Sequence, residues 1–263
     1  MSTVKKIENL LIDLRDNHCV IGLKSSFEDE GASFEESKLL KEIAFPLNLK
    51  TTVKIGGCEA LRDIRDAKSL GVDVIVAPMI ETPYALKKFV DALNSEFNDF
   101  KSDKPEFFIN IETITGYENL DKILSSNAAT YIDGVVVGRS DMARSLGLQC
   151  KDANGETVRD ITNEICSKVS QYNKKLIVGG NISKSTIDKI SFLPVNSLYG
   201  IETRKILFSS NVLSDKQIFK EGLKKAIEFE ILWIKEVCAM FDKPTTSTIR
   251  RISILEERLK TLR

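Results

Sequence analysis

A single histidine, His18, serves the whole chain of 263 residues. It precedes the first apolar run, which in an α/β barrel places it at the end opposite the chemistry, where a solvated or helix-capping role is expected. A Ser–His–Asp hydrolase and a histidine-bound zinc site are therefore excluded at the functional end, and any reaction there proceeds without an imidazole base. The five cysteines (Cys19, Cys58, Cys150, Cys166 and Cys238) are odd in number and scattered, and none has C-x-x-C spacing. Neither a disulfide framework nor a zinc cluster is indicated, and reduced thiols in the cytoplasm fit best. Charge of one sign is also missing: 38 basic and 38 acidic residues cancel. Nothing electrostatic calls for nucleic acid or an anionic membrane surface. No run approaches the roughly 20 apolar residues that cross a bilayer. The opening MSTVKKIENLLIDLRD carries Glu8 and Asp13 among its apolar positions, which reads as an amphipathic helix over 1–16 and not as a signal peptide. The expectation is a soluble, cytoplasmic protein.

What is present is a regular alternation. Short apolar runs rich in Val and Ile occupy 19–23, 52–55, 72–77, 107–111, 132–137 and 176–178, with a less apolar seventh at 197–201. Between them lie helical patterns at 34–45, 58–70, 84–93 and 117–124. Strands covered on both faces, joined by crossover helices, have this signature. Seven evenly spaced strands predict a closed (β/α)8 barrel, with 205–208 as the candidate eighth strand. A doubly wound open sheet is the alternative, but the G-x-G-x-x-G fingerprint is absent after the first strand. The length suits one barrel domain over 1–263. Residues 215–263 then form additional C-terminal helices, a long one at 217–241 and a last one with Ile252, Leu255, Leu259 and Leu262 on a narrow stripe. Such a helix either caps its own barrel or crosses to a neighbouring subunit.

Two of the runs end in carboxylates. FFINIETITGYENL places Glu112 directly after one strand, and IDGVVVGRSDMARSLG places Asp141 just past the next. Neighbouring parallel strands stand about 4.8 Å apart, so both acids can reach one cation. Each has a second reading as a cap of the following helix. Two carboxylates with water and substrate oxygens suit a hard ion, Mg²⁺ or Mn²⁺. The same barrel end collects Lys24, Glu28, Glu30, Lys54, Arg139, Glu202 and Arg204 with the glycine pairs Gly56–Gly57 and Gly179–Gly180. The basic residues either anchor an anionic substrate or pair with the nearby acids. The glycines either expose amides to an anion or serve ordinary tight turns.

Taken together, VKIGG, VDVIVAPMIET, FFINIET and GVVVGRSDMARSLG resemble the HpcH/HpaI aldolase and citrate lyase β-subunit superfamily over about residues 50–148. The resemblance implies a (β/α)8 TIM barrel whose Mg²⁺ or Mn²⁺ is held by Glu112 and Asp141. It implies a small anionic 2-oxo acid substrate, framed by Gly138, Arg139, Ser140 and Asp141, with the adjacent carbon–carbon bond made or broken through a metal-stabilised enolate. It also implies a homo-oligomer with terminal helices exchanged between subunits. The sequence departs from the pattern twice. Lys54 stands where an arginine is usual, keeping the charge but losing the bidentate fork, and the histidine acid/base of the aldolase branch has no counterpart.

The main expectation is thus a metal-dependent lyase in which Glu112 and Asp141 hold the ion, Arg139 and Lys54 orient substrate, and Lys24, Glu28 or a metal-bound water moves the proton. Two alternatives stand beside it: an acyl-CoA or phosphorylated sugar-acid lyase using the same site, and an inactive barrel kept as a binding or scaffolding subunit.

Overall fold

The computed structural model describes residues 3–97, 104–189, 198–241 and 245–262. Helix α1 (Thr3–Asn17) leads into β1 (Val20–Ser26), followed by α2 (Phe34–Ala44), β2 (Lys50–Lys54), α3 (Leu61–Leu70), β3 (Val74–Ala77), α4 (Pro83–Glu96) and β4 (Glu106–Ile111). Then come α5 (Ile114–Glu118), α6 (Leu120–Leu124), β5 (Gly134–Gly138), α7 (Arg139–Ser145), α8 (Glu156–Gln171), β6 (Lys175–Gly179) and α9 (Lys184–Lys189). The chain ends with β7 (Leu198–Glu202), β8 (Ile206–Ser209), α10 (Lys216–Phe241) and α11 (Thr246–Thr261). The eight strands close into one barrel in sequence order. Each of the seven apolar runs contributes a strand; Ser197, at the head of the seventh, lies outside the described residues. The helical pattern at 117–124 is divided at Asn119, whose side-chain amide donates to the Glu81 carbonyl at 3.0 Å.

The eighth strand lies one residue later than 205–208 and runs the other way, antiparallel to both β7 and β1. Only residues 203–205 separate β7 from β8. A parallel return needs a crossover of a dozen or more residues, so a connection this short can only make a hairpin. The Ile206 N–H donates to Thr203 Oγ1 at 3.1 Å and the Thr203 N–H to the Ile206 carbonyl at 2.8 Å, closing the turn. This reversal has two consequences. Residues 203–205 join the C-terminal ends of β1 to β7 at the upper rim. The chain then leaves β8 at the lower end, so α10 starts below the barrel. Its 26 residues span about 39 Å, well beyond a strand of roughly 17–20 Å. It therefore climbs the whole flank, and α11 packs back against it above the barrel.

His18 marks the lower end, as its position before β1 requires, but it is buried and not solvated. Its Nδ1 lies 3.1 Å from the Ile218 carbonyl on α10, and its Nε2 lies 2.9 Å from Lys225 Nζ.

The strand pleat sorts the side chains. Val74, Val76, Phe108, Val136, Ile177 and Leu207 fill the barrel interior, while their alternates Ile75, Ala77, Phe107, Ile109 and Val135 pack outward beneath the helices. On β4 the inward series is therefore Glu106, Phe108 and Asn110, with Glu112 next above the strand. Glu106 pairs with Lys50 at 3.4 Å and Lys175 near the lower opening, beneath which the Tyr199 ring lies against both lysines. Phe108 occupies the middle, in the space a side chain at Gly134 would need. Asn110 and Glu112 are left at the top.

Below the rim, Asp73 ties β3 to β2. It accepts from the Thr51 N–H at 2.7 Å, the Thr51 hydroxyl at 2.8 Å and Lys41 at 2.9 Å. Burial works against its charge, but the Thr51 amide, Lys41 and the Thr51 hydroxyl outweigh it and hold the carboxyl below its ordinary 3.8. The carboxylate's stabilisation is complete above the unfolded-state value and disappears as pH falls through the folded-state one. Asp73→Asn is expected to cost about 1.5–3 kcal/mol near neutrality. In chemical denaturation the gap to wild type should close in acid below about pH 3.8; a pH-independent gap would mean the charge is not responsible.

Candidate active site

A cavity of about 240 Å³ opens at the upper rim. Strand β4 supplies Asn110 and Glu112, β5 supplies Gly138, and the first turn of α7 supplies Ser140 and Asp141. Lys24 and Lys54 enter from β1 and β2, Glu202 from β7, and Arg204 from the 203–205 turn.

Glu112 is 2% exposed. Its Oε1 accepts from the Met79 N–H at 3.1 Å and its Oε2 from the Asn110 amide at 2.8 Å, with Lys54 Nζ 3.5 Å away. Met79 adopts a left-handed φ of 48° to present that N–H, a conformation a non-glycine residue holds only at a cost. Gly138 lies opposite: a Cβ there would come within 2.6 Å of both Cβ and Oε2 of Glu112. Glycine at 138 is thus what allows the carboxylate its place. Burial pushes the Glu112 carboxyl above its ordinary value, against the pull of Lys54 and the Asn110 amide; the charge of Asp141 pushes in the same direction as burial. The two acids are near enough to sense one another.

Neither acid is a helix cap. Thr113 caps α5 through its side chain, and Gly138 occupies the cap position of α7. Asp141 Oδ1 instead accepts from Arg144 at 2.8 Å, with the carboxylate partly open to solvent. No third His, Cys, Asp or Glu completes a metal-ligand cluster with them among the described residues.

The basic residues divide. Lys54 lies 2.9 Å from Glu28 and 3.5 Å from Glu112. Burial opposes its charge, but Glu112 and Glu28 prevail and raise its ammonium above the usual lysine value. Lys24 forms a buried ion pair with Glu202. Glu28 meets the site through Lys54.

Arg139, expected to orient substrate, does not face the cavity. Its guanidinium donates to the carbonyls of Gly179 at 2.9 Å and Gly180 at 2.7 Å and to Asn154 Oδ1 at 3.0 Å, and burial lowers its pKa to about 10. Two helical residues turn the chain by about 200°, so Arg139 and Asp141 cannot share a face. With Asp141 toward the cavity, Arg139 points into the protein and builds the loop after β6. Gly180 (φ 83°) makes that loop's approach possible, since a Cβ there would lie 2.5 Å from the Ser140 nitrogen.

Four contributors escaped the sequence reading. Asn110 could have been found, because a polar residue two before Glu112 on a strand faces the same way. Arg144 stands one turn from Asp141. Arg251 and Arg258 are seven apart on α11 and share a face, but only the reversal of β8 brings that helix over the cavity.

The family model for HpcH/HpaI aldolase/citrate lyase matches residues 5–177. The chain belongs to this family. The matched segment contains both acids, Asn110, Lys24, Glu28 and Lys54; it ends before β7, β8, α10 and α11. Among solved structures, the fold is shared with an HpcH/HpaI aldolase from Desulfitobacterium hafniense DCB-2 (TM-score 0.59, 12% identity, 77% of this chain and 82% of that one). It is shared with a HpcH/HpaI aldolase/citrate lyase family protein from Burkholderia cenocepacia J2315 (TM-score 0.58, 14% identity, 83% and 99%). The citrate synthase SbnG is a third (TM-score 0.58, 15% identity, 76% and 81%). No curated protein matches the chain. Membership places the protein with the aldolases and citrate lyases, and the low identities of the solved structures speak to fold alone. No helix among the described residues is long and apolar enough to cross a membrane.

Proposed function

We propose that the protein is a divalent-metal-dependent carbon–carbon lyase of aldolase type that acts next to the oxo group of a small 2-oxo acid. The observation that carries this is the pair Glu112 and Asp141 on one cavity wall. Beside them, Asn110 Oδ1 is buried with no hydrogen-bond partner among the described residues. Such an oxygen is costly to bury unless something is meant to meet it. Two carboxylates and an amide oxygen are hard donors, and Mg²⁺ or Mn²⁺ is commonly held by one or two carboxylates with the remaining positions left to water and substrate. Glu112 and Asp141 would hold the ion. When bound, it supplies Lewis-acid stabilisation of the negative charge that bond cleavage leaves next to the oxo group.

The protein's own residues position and exchange protons. Lys54, kept charged by Glu112 and Glu28, orients an anionic substrate; an ammonium held in this way is a poor Schiff-base amine. Glu28, 2.9 Å from Lys54 Nζ, and Lys24, paired with Glu202, are the groups placed to move a proton. Gly138 and Ser140 line the wall where the substrate carboxylate sits. The cavity, about 240 Å³, falls below the roughly 300–1,000 Å³ of drug-sized sites, which favours a small acid over an intact acyl-CoA.

Retro-aldol assays on a panel of 2-oxo-4-hydroxy acids test this with protein stripped by EDTA and then resupplied with Mg²⁺ or Mn²⁺. Turnover should appear only after metal is returned. Activity that survives stripping, or silence across the panel in both conditions, rejects the proposal.

A further inference from the structure

Among the described residues, six basic side chains line the cavity, and five of them have carboxylate partners. Lys24 pairs with Glu202, Lys54 with Glu28, Arg144 with Asp141, Arg204 with Glu30 and Asp29, and Arg251 with Glu230 at 2.7 Å. Arg258 is different. Among the described residues its guanidinium has no carboxylate within ion-pair distance, and its one hydrogen bond goes to the Ile182 carbonyl. A guanidinium has five N–H donors. Burial is the main influence against its charge and Arg251 adds to it, with Glu230 only partly compensating.

Arg251, Arg258 and Glu230 together leave one surplus positive charge, half-buried and facing the cavity. The same cavity is lined by Glu112 and Asp141. The cavity thus holds acids suited to a cation, just after β4 and in the first turn of α7, together with an unmatched guanidinium on α11. A half-buried arginine without a counter-ion is costly on its own and suited to planar, bidentate binding of an oxyanion.

We propose that Arg258, with Arg251 beside it, binds a second anionic group at the far end of the substrate, a carboxylate or a phosphate, so that the protein selects dianionic 2-oxo acids. This rests on the lyase reading for its chemistry but not for its anion site. Arg258 lies on the C-terminal helix α11, beyond the segment matched by the family model.

The test uses 2-oxo-4-hydroxy acids of matched length ending in a neutral group, a carboxylate or a phosphate, assayed with the full-length wild type, Arg258→Gln and Arg258→Lys. Wild type should prefer the charged ends. Arg258→Gln should lower that preference, read as a ratio of kcat/KM, by about 10- to 100-fold, chiefly through KM. Arg258→Lys should recover part of it. Whichever of carboxylate and phosphate loses more identifies the group recognised. A ratio that does not move, or equal losses on all three substrates, overturns the proposal; equal losses would make Arg258 a staple between α11 and the Ile182 carbonyl. Calorimetric titration with inorganic phosphate separates this from failure of the lyase reading. Binding to wild type that is lost in Arg258→Gln upholds the anion site even where no panel member is turned over. Absent binding, or equal binding to both proteins, sinks it.

Discussion

Replacing Glu112 with glutamine is expected to reduce metal-supported turnover by at least about 10²- to 10³-fold while leaving the barrel folded. The substitution keeps the side-chain volume and removes the charge. At this position charge is expensive: Glu112 is 2% exposed, and burial with the neighbouring Asp141 raises its carboxyl pKa. A neutral amide relieves that cost but brings another, since its NH₂ replaces one of the two accepting oxygens and leaves one of the two donors, the Met79 N–H or the Asn110 amide, without its acceptor. The two effects oppose each other, so the melting temperature should move little. Activity has no such offset, because a neutral amide is a much weaker ligand for a hard cation than a carboxylate. Asp141→Asn should act in the same direction. Calorimetric Mn²⁺ titration and kcat on the best panel substrate provide the readout; wild-type turnover by Glu112→Gln would remove the metal assignment altogether.

Much of this site was legible because burial leaves a strong trace. A run such as FFINI can hardly be anything but a covered strand, and a carboxylate at its exit stands out. The direction of the last strand leaves no such trace. The side chains of ILFS look the same read up or down, and only the shortness of 203–205 forces the hairpin. Helix α8 is less legible for a related reason. Its buried Val158, Ile161, Ile165 and Val169 are spaced three and four apart, but charged and polar residues between them hide the stripe. The arginines show the limit most clearly. Arg139 and Arg258 carry the same guanidinium, yet one is spent on three acceptors inside the protein and the other opens to the cavity. Helical phase decides the first case once Asp141 is fixed. The second depends on where α11 lies, which follows from the reversal of β8, so no local reading of the C-terminal segment places it at the cavity.

Lys54→Met is expected to destabilise the metal-free protein more than any other single change at the rim, by about 3–5 kcal/mol, the usual result of deleting one partner of a buried pair. In a chain of this size that corresponds to roughly 6–20 °C in melting temperature. The reason lies in the geometry: one ammonium, 9% exposed, stands 2.9 Å from Glu28 and 3.5 Å from Glu112, and its removal leaves Glu112 with no basic partner at ion-pair distance among the described residues. The double variant Lys54→Met/Glu112→Gln should then recover much of the loss, because the stranded charge is gone with its partner. Sites that share a contact show such coupling, typically 0.5–3 kcal/mol. Denaturation of wild type, both single variants and the double variant in EDTA closes the cycle. Additive losses would assign Lys54 to Glu28 alone. A Lys54→Met protein as stable as wild type but with raised KM would make the lysine a substrate ligand that the fold does not need. If the cycle couples as expected, Lys54 has two functions that cannot be separated by simple deletion: it favours the charged form of Glu112 against the burial that favours the neutral acid, and it presents the same positive charge to an incoming anion.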